Sequence, residues 1–414
     1  MTAFGGFRAV GHGAHSLVDP PRCGQISGSY AAQRMLRVAA FMADDRFQRL
    51  AGQRRVVVCA GAGGVGKTTV AAALSLAAAR RGRRVLCLTI DPARRLADSL
   101  GLSLAPGVEC EVAPDLLAAT GMVAGGTLSV AMLDPKSTFD DLVRRHASSA
   151  AVAERILQNQ FYRHVSTSLA GTQSYMAMEK VLSVLKSERY DLIVLDTPPT
   201  SEALDFLDAP GRWIEALDSP AMRWLVQSLQ PTGGISMRLL ARGVAALLRT
   251  MGRLTGRGFL EELASFVGEL NELFGGFKQR ANQVSRAFRE PDFAYLLVAA
   301  PSPAALEEVR FFAERLRRLG MRADALVLNR VHPELVIAPP LESLAASLPL
   351  GFPATPQQLL RAQADELERS RSEAPELAKA RALFPERDVW VVPVMAGDVH
   401  GLADLSRLGR ALLL

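Results

Sequence analysis

The residues with the clearest chemical purpose form one glycine-rich segment that directly follows an apolar run, Val56–Ala60. The segment matches the spacing G-x-x-x-x-G-K-S/T with Gly61, Ala62, Gly63, Gly64, Val65, Gly66, Lys67, Thr68 and Thr69. A loop with few side chains lets successive backbone N–H groups surround phosphate oxygens, and a helix that starts there presents its positive end to the same charge. The Ala- and Leu-rich stretch Ala71–Arg80 predicts that helix. The segment is therefore predicted to bind the phosphates of a nucleotide.

Two aspartates further along the chain each follow an apolar run that is typical of a buried parallel strand. Asp91 comes after the run that starts at Arg84, and Asp196 ends the run that starts at Tyr190. Each aspartate also has a simpler interpretation, as a helix N-cap or as a solvated carboxylate at a strand end.

Hydrolysis of a nucleotide needs such acids beside the phosphate loop. Lys67 can reach the β- and γ-phosphates, while Thr68 and Asp196 can hold Mg²⁺. Asp91 can orient the attacking water. Lys67 and Asp91 are therefore the predicted catalytic residues, and Thr68 and Asp196 the predicted magnesium ligands.

Strand and helix patterns alternate along much of the chain. The strand patterns cover residues 56–60, 84–90, 190–196, 293–300, 323–328 and 389–392. This rhythm predicts an α/β fold, a doubly wound and mostly parallel sheet of the P-loop NTPase type, with a helical subdomain inserted in the middle. Ligands bind at the carboxyl edge of such a sheet, where Asn329 would also lie. Its amide can donate to and accept from an adenine edge at the same time.

The chain divides into three kinds of sequence. Residues 1–50 are predicted to be a disordered N-terminal extension, because Gly, Ser, Pro and His interrupt every periodic pattern there, and Met35 and Met42 are candidate alternative starts. Residues 51–414 are predicted to form the nucleotide-binding domain. Within it, the segments of about 139–186 and 211–290 have helical patterns and are predicted to form the helical subdomain.

The motifs together resemble the arsenite-transporter ATPase family (ArsA type), which includes the tail-anchored-protein targeting ATPase, within the MinD-like P-loop ATPases. The resemblance rests on the glycine-rich loop, on two loops that resemble the family's switches, and on two segments that resemble its adenine-binding loops. These segments are 61–69, 89–93, 196–207, 327–330 and 392–402.

The resemblance implies a dimeric ATPase that uses ATP and Mg²⁺ and couples hydrolysis to a conformational change. Asn329 would read the adenine, and Pro393 would lie in the loop that packs on it. The dimer would be a homodimer or a heterodimer with a paralogue. The apolar residues of 214–254 would form a groove for a hydrophobic client or membrane-protein partner, although core packing or a dimer interface explains the same pattern. The implied location is cytoplasmic, peripheral to the membrane at most.

One departure from the family concerns charge at the phosphates. The family normally has a Lys after the first Gly of the loop, which reaches the phosphates of the partner, whereas this chain has Ala62. Either another cation of this chain replaces that Lys, or a partner protein supplies a cation, or hydrolysis is slow. Arg94 and Arg95 are the nearest cations in sequence, although both also suit a solvated helix face.

Composition excludes some other functions. The net charge of +6 is spread among acids rather than gathered in a basic block, so no nucleic-acid partner is expected. No apolar run approaches the roughly 18 residues that cross a bilayer. Cys23, Cys59, Cys87 and Cys110 stand singly, which predicts neither a metalloid-binding triad nor a zinc site between subunits.

Three functions remain open from the sequence. The first is an ATP-hydrolysing switch that acts on a helical client or partner surface. The second is an ATP-binding scaffold or chaperone subunit with little intrinsic hydrolysis. The third is a peripheral subunit of an anion or metalloid pump, for which the dispersed cysteines predict no stimulation by arsenite or antimonite.

Overall fold

The computed structural model describes residues 48–91, 95–102, 104–120, 125–160, 162–163, 166, 172–220, 279–333, 354–385, 388–395 and 397–412. Most of the predicted N-terminal extension therefore lies outside the described residues. So do residues 221–278, which contain most of the apolar residues of the predicted client groove.

The centre of the molecule is an eight-stranded sheet in the order β3-β4-β2-β5-β1-β6-β7-β8. All neighbouring strands run parallel except β3, which is antiparallel to β4. The sheet confirms the predicted α/β class and its mostly parallel, doubly wound form. The strands are β1 Val56–Gly61, β2 Arg84–Thr89, β3 Glu109–Glu111, β4 Thr127–Met132, β5 Leu192–Asp196, β6 Phe293–Ala299, β7 Ala325–Val331 and β8 Asp388–Pro393.

Helices connect and flank these strands. A short π-helical turn, Gln48–Gly52, precedes β1, and residues 279–287 form a helical segment before β6. Further helices are α1 Lys67–Ala79, α2 Arg95–Leu100, α3 Pro114–Ala118, α4 Pro135–His146, α5 Ala150–Gln158, α6 Thr172–Lys186, α7 Thr200–Leu217, α8 Pro303–Arg318, α9 Pro356–Leu383 and α10 Gly401–Ala411.

Some predicted boundaries were wrong. β3 and β4 were not predicted, because β3 is short and held by its pairing with β4, and the small residues of β4 give a weak pattern. β7 does not end at Asn329 but continues to Val331, with an irregular register against β8. The first helix starts at Lys67 rather than Ala71, so the motif itself forms its first turn.

Two buried clusters hold the described elements together. The larger one includes the strands and α1, which is buried on nearly every side. β1 is buried along its whole length, as expected for the central region of a parallel sheet. A smaller cluster is formed by residues of α4, α5, α6 and α7 together with Tyr162 and Ala281, and it contains Phe139, Tyr175 and Met176. The division into domains and a helical subdomain stays a prediction.

Candidate functional site

The glycine-rich loop joins β1 to α1 at the carboxyl edge of the sheet. Gly66 precedes the first residue of α1 and has φ 93°, in the left-handed region that favours glycine. A Cβ atom at Gly66 would stand 2.4 Å from Nδ2 of Asn329. Gly63 and Gly64 are exposed, and a Cβ at either would meet nothing within 4 Å. The loop therefore presents open backbone to a ligand, as phosphate binding requires.

Lys67 is held on its own loop. Its Nζ donates a hydrogen bond of 2.7 Å to the carbonyl oxygen of Ala62, and the side chain is buried. Burial lowers the pKa of Lys67, while Asp196 and Asp91 act in the opposite direction. Among the residues described, the Lys67 ammonium has one hydrogen-bond acceptor, a backbone carbonyl, so an anionic ligand would stabilise it.

Asp196 lies in the middle of the site because of strand register. It is paired with Cys59 of β1 on one side and with Thr89 of β2 on the other. Its Oδ2 accepts hydrogen bonds from Thr68 Oγ1 at 2.9 Å and from Thr89 Oγ1 at 3.0 Å. Its Oδ1 is buried and has no hydrogen-bond partner within the part of the chain that the structure describes. Burial raises the pKa of Asp196 to about 6.

Asp91 follows β2 and is connected to the same group. Its backbone N–H donates to Thr89 Oγ1 at 3.2 Å, and its carboxylate lies 3.6 Å from Nη1 of Arg95. The Thr89 hydroxyl thus accepts from the backbone of Asp91 and donates to Asp196. Arg94 lies outside the described residues, as do Pro92 and Ala93 of the first switch-like loop.

The two residues predicted to face the adenine lie at neighbouring strand ends. Asn329 is buried in β7, and its Nδ2 donates to the carbonyl oxygen of Val65 at 2.9 Å. Pro393 is exposed at the end of β8 and pairs with Val331. The Asn329 amide group therefore braces the loop, and its contact with adenine stays a prediction.

The sequence around this site matches a known protein family. The model of the ArsA-type family described as "Anion-transporting ATPase" matches residues 54–344. The chain belongs to this anion-transporting ATPase family. The match starts just before β1 and therefore includes the glycine-rich loop, Asp91, Asp196 and Asn329.

Individual relatives match the chain at low identity. An uncharacterized protein of Streptomyces coelicolor is 29% identical over 283 residues, which are 68% of this chain and 63% of the relative. ATPase get3 of Pyrenophora tritici-repentis is 23% identical over 363 residues, 87% of this chain and 91% of the relative. A protein of Aquifex aeolicus, provisionally named arsenical pump-driving ATPase 1, is 25% identical over 291 residues, 68% of this chain and 65% of the relative. The matches to the Streptomyces and Aquifex proteins thus each span less than two thirds of the relative's length.

The family match supports a nucleotide-using ATPase as the coarse function. Within the described residues, no helix combines the length and the apolar character that crossing a bilayer requires.

Two residues that contact the candidate site were not singled out from the sequence, Thr89 and Arg330. Thr89 was assigned no role, although a hydroxyl at the end of the strand before Asp91 could have suggested one. Arg330 has φ 62°, and its Nη1 donates to the carbonyl oxygen of Gly64 at 3.1 Å. No sequence pattern indicates a left-handed arginine, because that conformation depends on how β7 meets β8.

Proposed function

We propose that this chain is an ATP-hydrolysing switch. Its site binds Mg-ATP, and hydrolysis changes the conformation of its helical region, which is the surface for a client or partner. The observation that carries the proposal is the hydrogen bond of 2.9 Å between Thr68 of the glycine-rich loop and Asp196 of β5. It joins a phosphate loop to a buried acid across two elements that are distant in sequence. The family match supports the same chemistry.

The donor set fits Mg²⁺. A carboxylate and a hydroxyl are hard oxygen ligands, which Mg²⁺ prefers, and Asp196 Oδ1 is a buried oxygen in need of a partner. Thr68 and Asp196 would hold the ion, with Thr89 fixing the orientation of the carboxylate. Bound Mg²⁺ neutralises charge on the β- and γ-phosphates.

The other side chains have separate roles in the proposal. Lys67 leaves the Ala62 carbonyl and donates to phosphate, where its charge stabilises the transition state. Asp91, whose side chain is 19% exposed, accepts a hydrogen bond from the attacking water and orients it. The backbone N–H groups of Gly63, Gly64, Val65, Gly66 and Thr69 complete the cradle, while Gly61 lets the strand end pass close to β6.

The proposal also covers assembly, partners and location. One glycine-rich loop is present in the sequence, so a closed two-site sandwich needs a second chain, either a copy or a paralogue. A hydrophobic client or membrane-protein partner would bind the helical region, and the chain would act in the cytoplasm, reaching a membrane only through a partner. These parts rest on the family resemblance and on the apolar residues between β5 and β6.

Ala62 favours a second candidate, an ATP-binding scaffold with little hydrolysis. Its side chain is buried and uncharged, so it adds no positive charge at the phosphates. The scaffold would bind nucleotide tightly and turn it over negligibly.

Phosphate release from the purified chain with Mg-ATP separates these candidates, with molecular mass in solution recorded in parallel. We compare wild type with Lys67→Ala and Asp91→Asn. The switch predicts turnover in wild type, loss of at least 100-fold in both variants, and ATP-dependent dimers. Binding without turnover in wild type would support the scaffold, and turnover unchanged by Lys67→Ala would refute both.

A further inference from the structure

The glycine-rich loop has little positive charge available from the residues considered so far. Ala62 is neutral, Lys67 is the one cation within the loop segment, and Arg95 lies 3.6 Å from the Asp91 carboxylate, which offsets its charge. A nucleotide polyphosphate carries several negative charges, and phosphate sites commonly add Arg or Lys for this reason. A further cation at the open side of the loop would fill this gap.

Arg330 has an unusual backbone for its position. Among the described residues, Glu188 and Arg330 are the two non-glycine residues with positive φ, at 54° and 62°. Glu188 lies in a turn after α6, where such a conformation is common. Arg330 instead lies inside β7, where the register against β8 shifts between Leu328 and Val331. Bulges of this kind often redirect a side chain beside a functional site, and strained non-glycine backbone often has a functional cause.

The redirected side chain reaches the glycine-rich loop. Arg330 Nη1 donates to the carbonyl oxygen of Gly64 at 3.1 Å, while the neighbouring Asn329 donates to the carbonyl oxygen of Val65 at 2.9 Å. Two successive residues of β7 thus hold two successive carbonyls of the loop. The Arg330 side chain is exposed, and no carboxylate of the described residues forms an ion pair with it. The Arg330 side chain is thus exposed to solvent beside the glycine-rich loop.

We propose that Arg330 is a nucleotide-binding residue that supplies, from β7, the positive charge that Ala62 does not supply from the loop. The ligand class is a nucleoside polyphosphate, which an arginine recognises through charge-assisted hydrogen bonds to phosphate oxygens. This inference rests on the proposed function, because it assumes that the loop binds a nucleotide. It goes further by naming a residue that acts from outside the loop and the switches.

The test measures the Kd of Mg-ATP, ADP and AMP for the full chain by isothermal titration calorimetry, at low and high salt. We compare wild type with Arg330→Gln, Arg330→Lys and Arg330→Gly. Arg330→Gln should weaken ATP binding about 10-fold or more at low salt, with a smaller loss for AMP and a smaller loss at high salt. Arg330→Lys should retain most of the affinity, because it keeps the charge.

Arg330→Gly separates binding from folding. Glycine adopts a positive φ without steric cost, so this variant should unfold at the wild-type temperature or above it while binding ATP as weakly as Arg330→Gln. Arg317→Gln, an exposed arginine at the far end of α8, makes the same change in net charge and should leave Kd unchanged.

Two outcomes would overturn the inference. One is an unchanged Kd in Arg330→Gln while Lys67→Ala binds ATP weakly, which would leave the proposed function intact. The other is an equal loss for ATP, ADP and AMP that Arg330→Lys does not restore, which would mean that Arg330 only braces the loop. If wild type bound none of these nucleotides, the proposed function itself would fail.

Discussion

At the scale of single residues, the site is organised around one buried carboxylate. Asp196 is 1% exposed and accepts from two hydroxyls through Oδ2, whereas Oδ1 has no hydrogen-bond partner among the described residues. Such an arrangement costs stability in the free protein and is offset when a cation binds. Buried titratable groups that lack full compensation are common at ligand-binding sites.

The raised pKa of Asp196 predicts a specific dependence of stability on pH. Its pKa rises from 3.8 to about 6, so ionising it costs about 3 kcal/mol more in the folded than in the unfolded chain. Between about pH 4 and pH 6, Asp196 is more protonated in the folded than in the unfolded chain. Its contribution to the free energy of unfolding of wild type therefore falls as the pH rises through this range. Asp196→Asn should remove this loss and raise the unfolding free energy at pH 7.5 by about 1–3 kcal/mol relative to wild type.

Urea unfolding without nucleotide or magnesium measures the effect at pH 7.5 and at pH 4.5. The unfolding free energy that Asp196→Asn gains over wild type should be smaller at pH 4.5 than at pH 7.5. Asp98→Asn, exposed on α2, is the control and should change stability little at either pH. A gain of equal size at both pH values would contradict the argument.

At the scale of elements, β1 and β6 approach so closely that the strand end before the loop admits no side chain. A Cβ atom on Gly61 would stand 2.0 Å from the backbone oxygen of Val298. Backbone cannot move aside cheaply in the middle of a parallel sheet. The glycine at this position therefore has a packing reason in addition to its place in the phosphate motif.

This close approach predicts that Gly61→Ala destabilises the free protein by about 2 kcal/mol or more, as overpacking does. Gly63→Ala is the matched control, since a Cβ there meets nothing within 4 Å. Thermal unfolding in the absence of nucleotide compares the two. Equal midpoints would show that the sheet opens to accept the methyl group.

A buried ion pair joins helical segments that are far apart in the chain. Arg280 Nη2 lies 2.7 Å from Oε2 of Glu179 on α6, and the Glu179 side chain is 2% exposed. Tyr175 donates to the same carboxylate at 2.8 Å, and His146 of α4 lies 2.9 Å from Arg280. The pair thus connects the segment 279–287 to the smaller buried cluster.

Removing the Arg280 guanidinium group should leave the buried Glu179 carboxylate without a compensating charge. Arg280→Met is expected to lower the unfolding free energy by about 3–5 kcal/mol, whereas the double variant Arg280→Met with Glu179→Leu should recover much of it. Arg310→Ala on α8 is the exposed control and should cost about 0.5 kcal/mol or less, because Arg310 and Glu307 are both more than half exposed. Chemical denaturation measures the unfolding free energy of all three variants. If Arg280→Met lost no more unfolding free energy than Arg310→Ala, the ion pair would not stabilise the fold.

At the scale of the whole molecule, the site depends on four strands that are dispersed in the sequence. β1, β2, β5 and β7 contribute the loop, Asp91, Asp196 and Asn329 to one edge. A ligand bound there contacts groups that exist together only in the folded state. Its binding energy therefore adds to the stability of the entire sheet.

Saturating Mg-ATP is accordingly expected to raise the unfolding temperature of the full chain by a few degrees. At a hundred times Kd, the stabilisation would be about 2.7 kcal/mol. Lys67→Ala should lose the rise because it weakens binding, and Asp91→Asn should keep it because it impairs hydrolysis alone. Differential scanning fluorimetry measures these shifts, and an equal rise in Lys67→Ala would exclude the glycine-rich loop as the site of binding.

Sequence alone determined the features that are encoded within one short stretch. The glycine-rich loop with its strand and helix is contiguous, and its spacing indicates phosphate binding because one loop supplies the cradle. The strands ending in Asp91 and Asp196 were likewise predicted from local apolar runs, and the α/β class from their rhythm. The weak patterns of β3 and β4 were missed, because pairing rather than local composition holds these strands in place.

Only the tertiary structure decided which of these residues meet. Strand register, which no local pattern encodes, places Thr89 beside Asp196 and makes its hydroxyl a bridge to Asp91. The irregular pairing of β7 with β8 turns Arg330 toward Gly64, although the sequence favours a strand that ends at Asn329, two residues before the observed end at Val331. Contacts between elements distant in the chain depend on how the sheet is assembled, because side-chain neighbours across strands are set by pairing and by packing rather than by spacing along the chain.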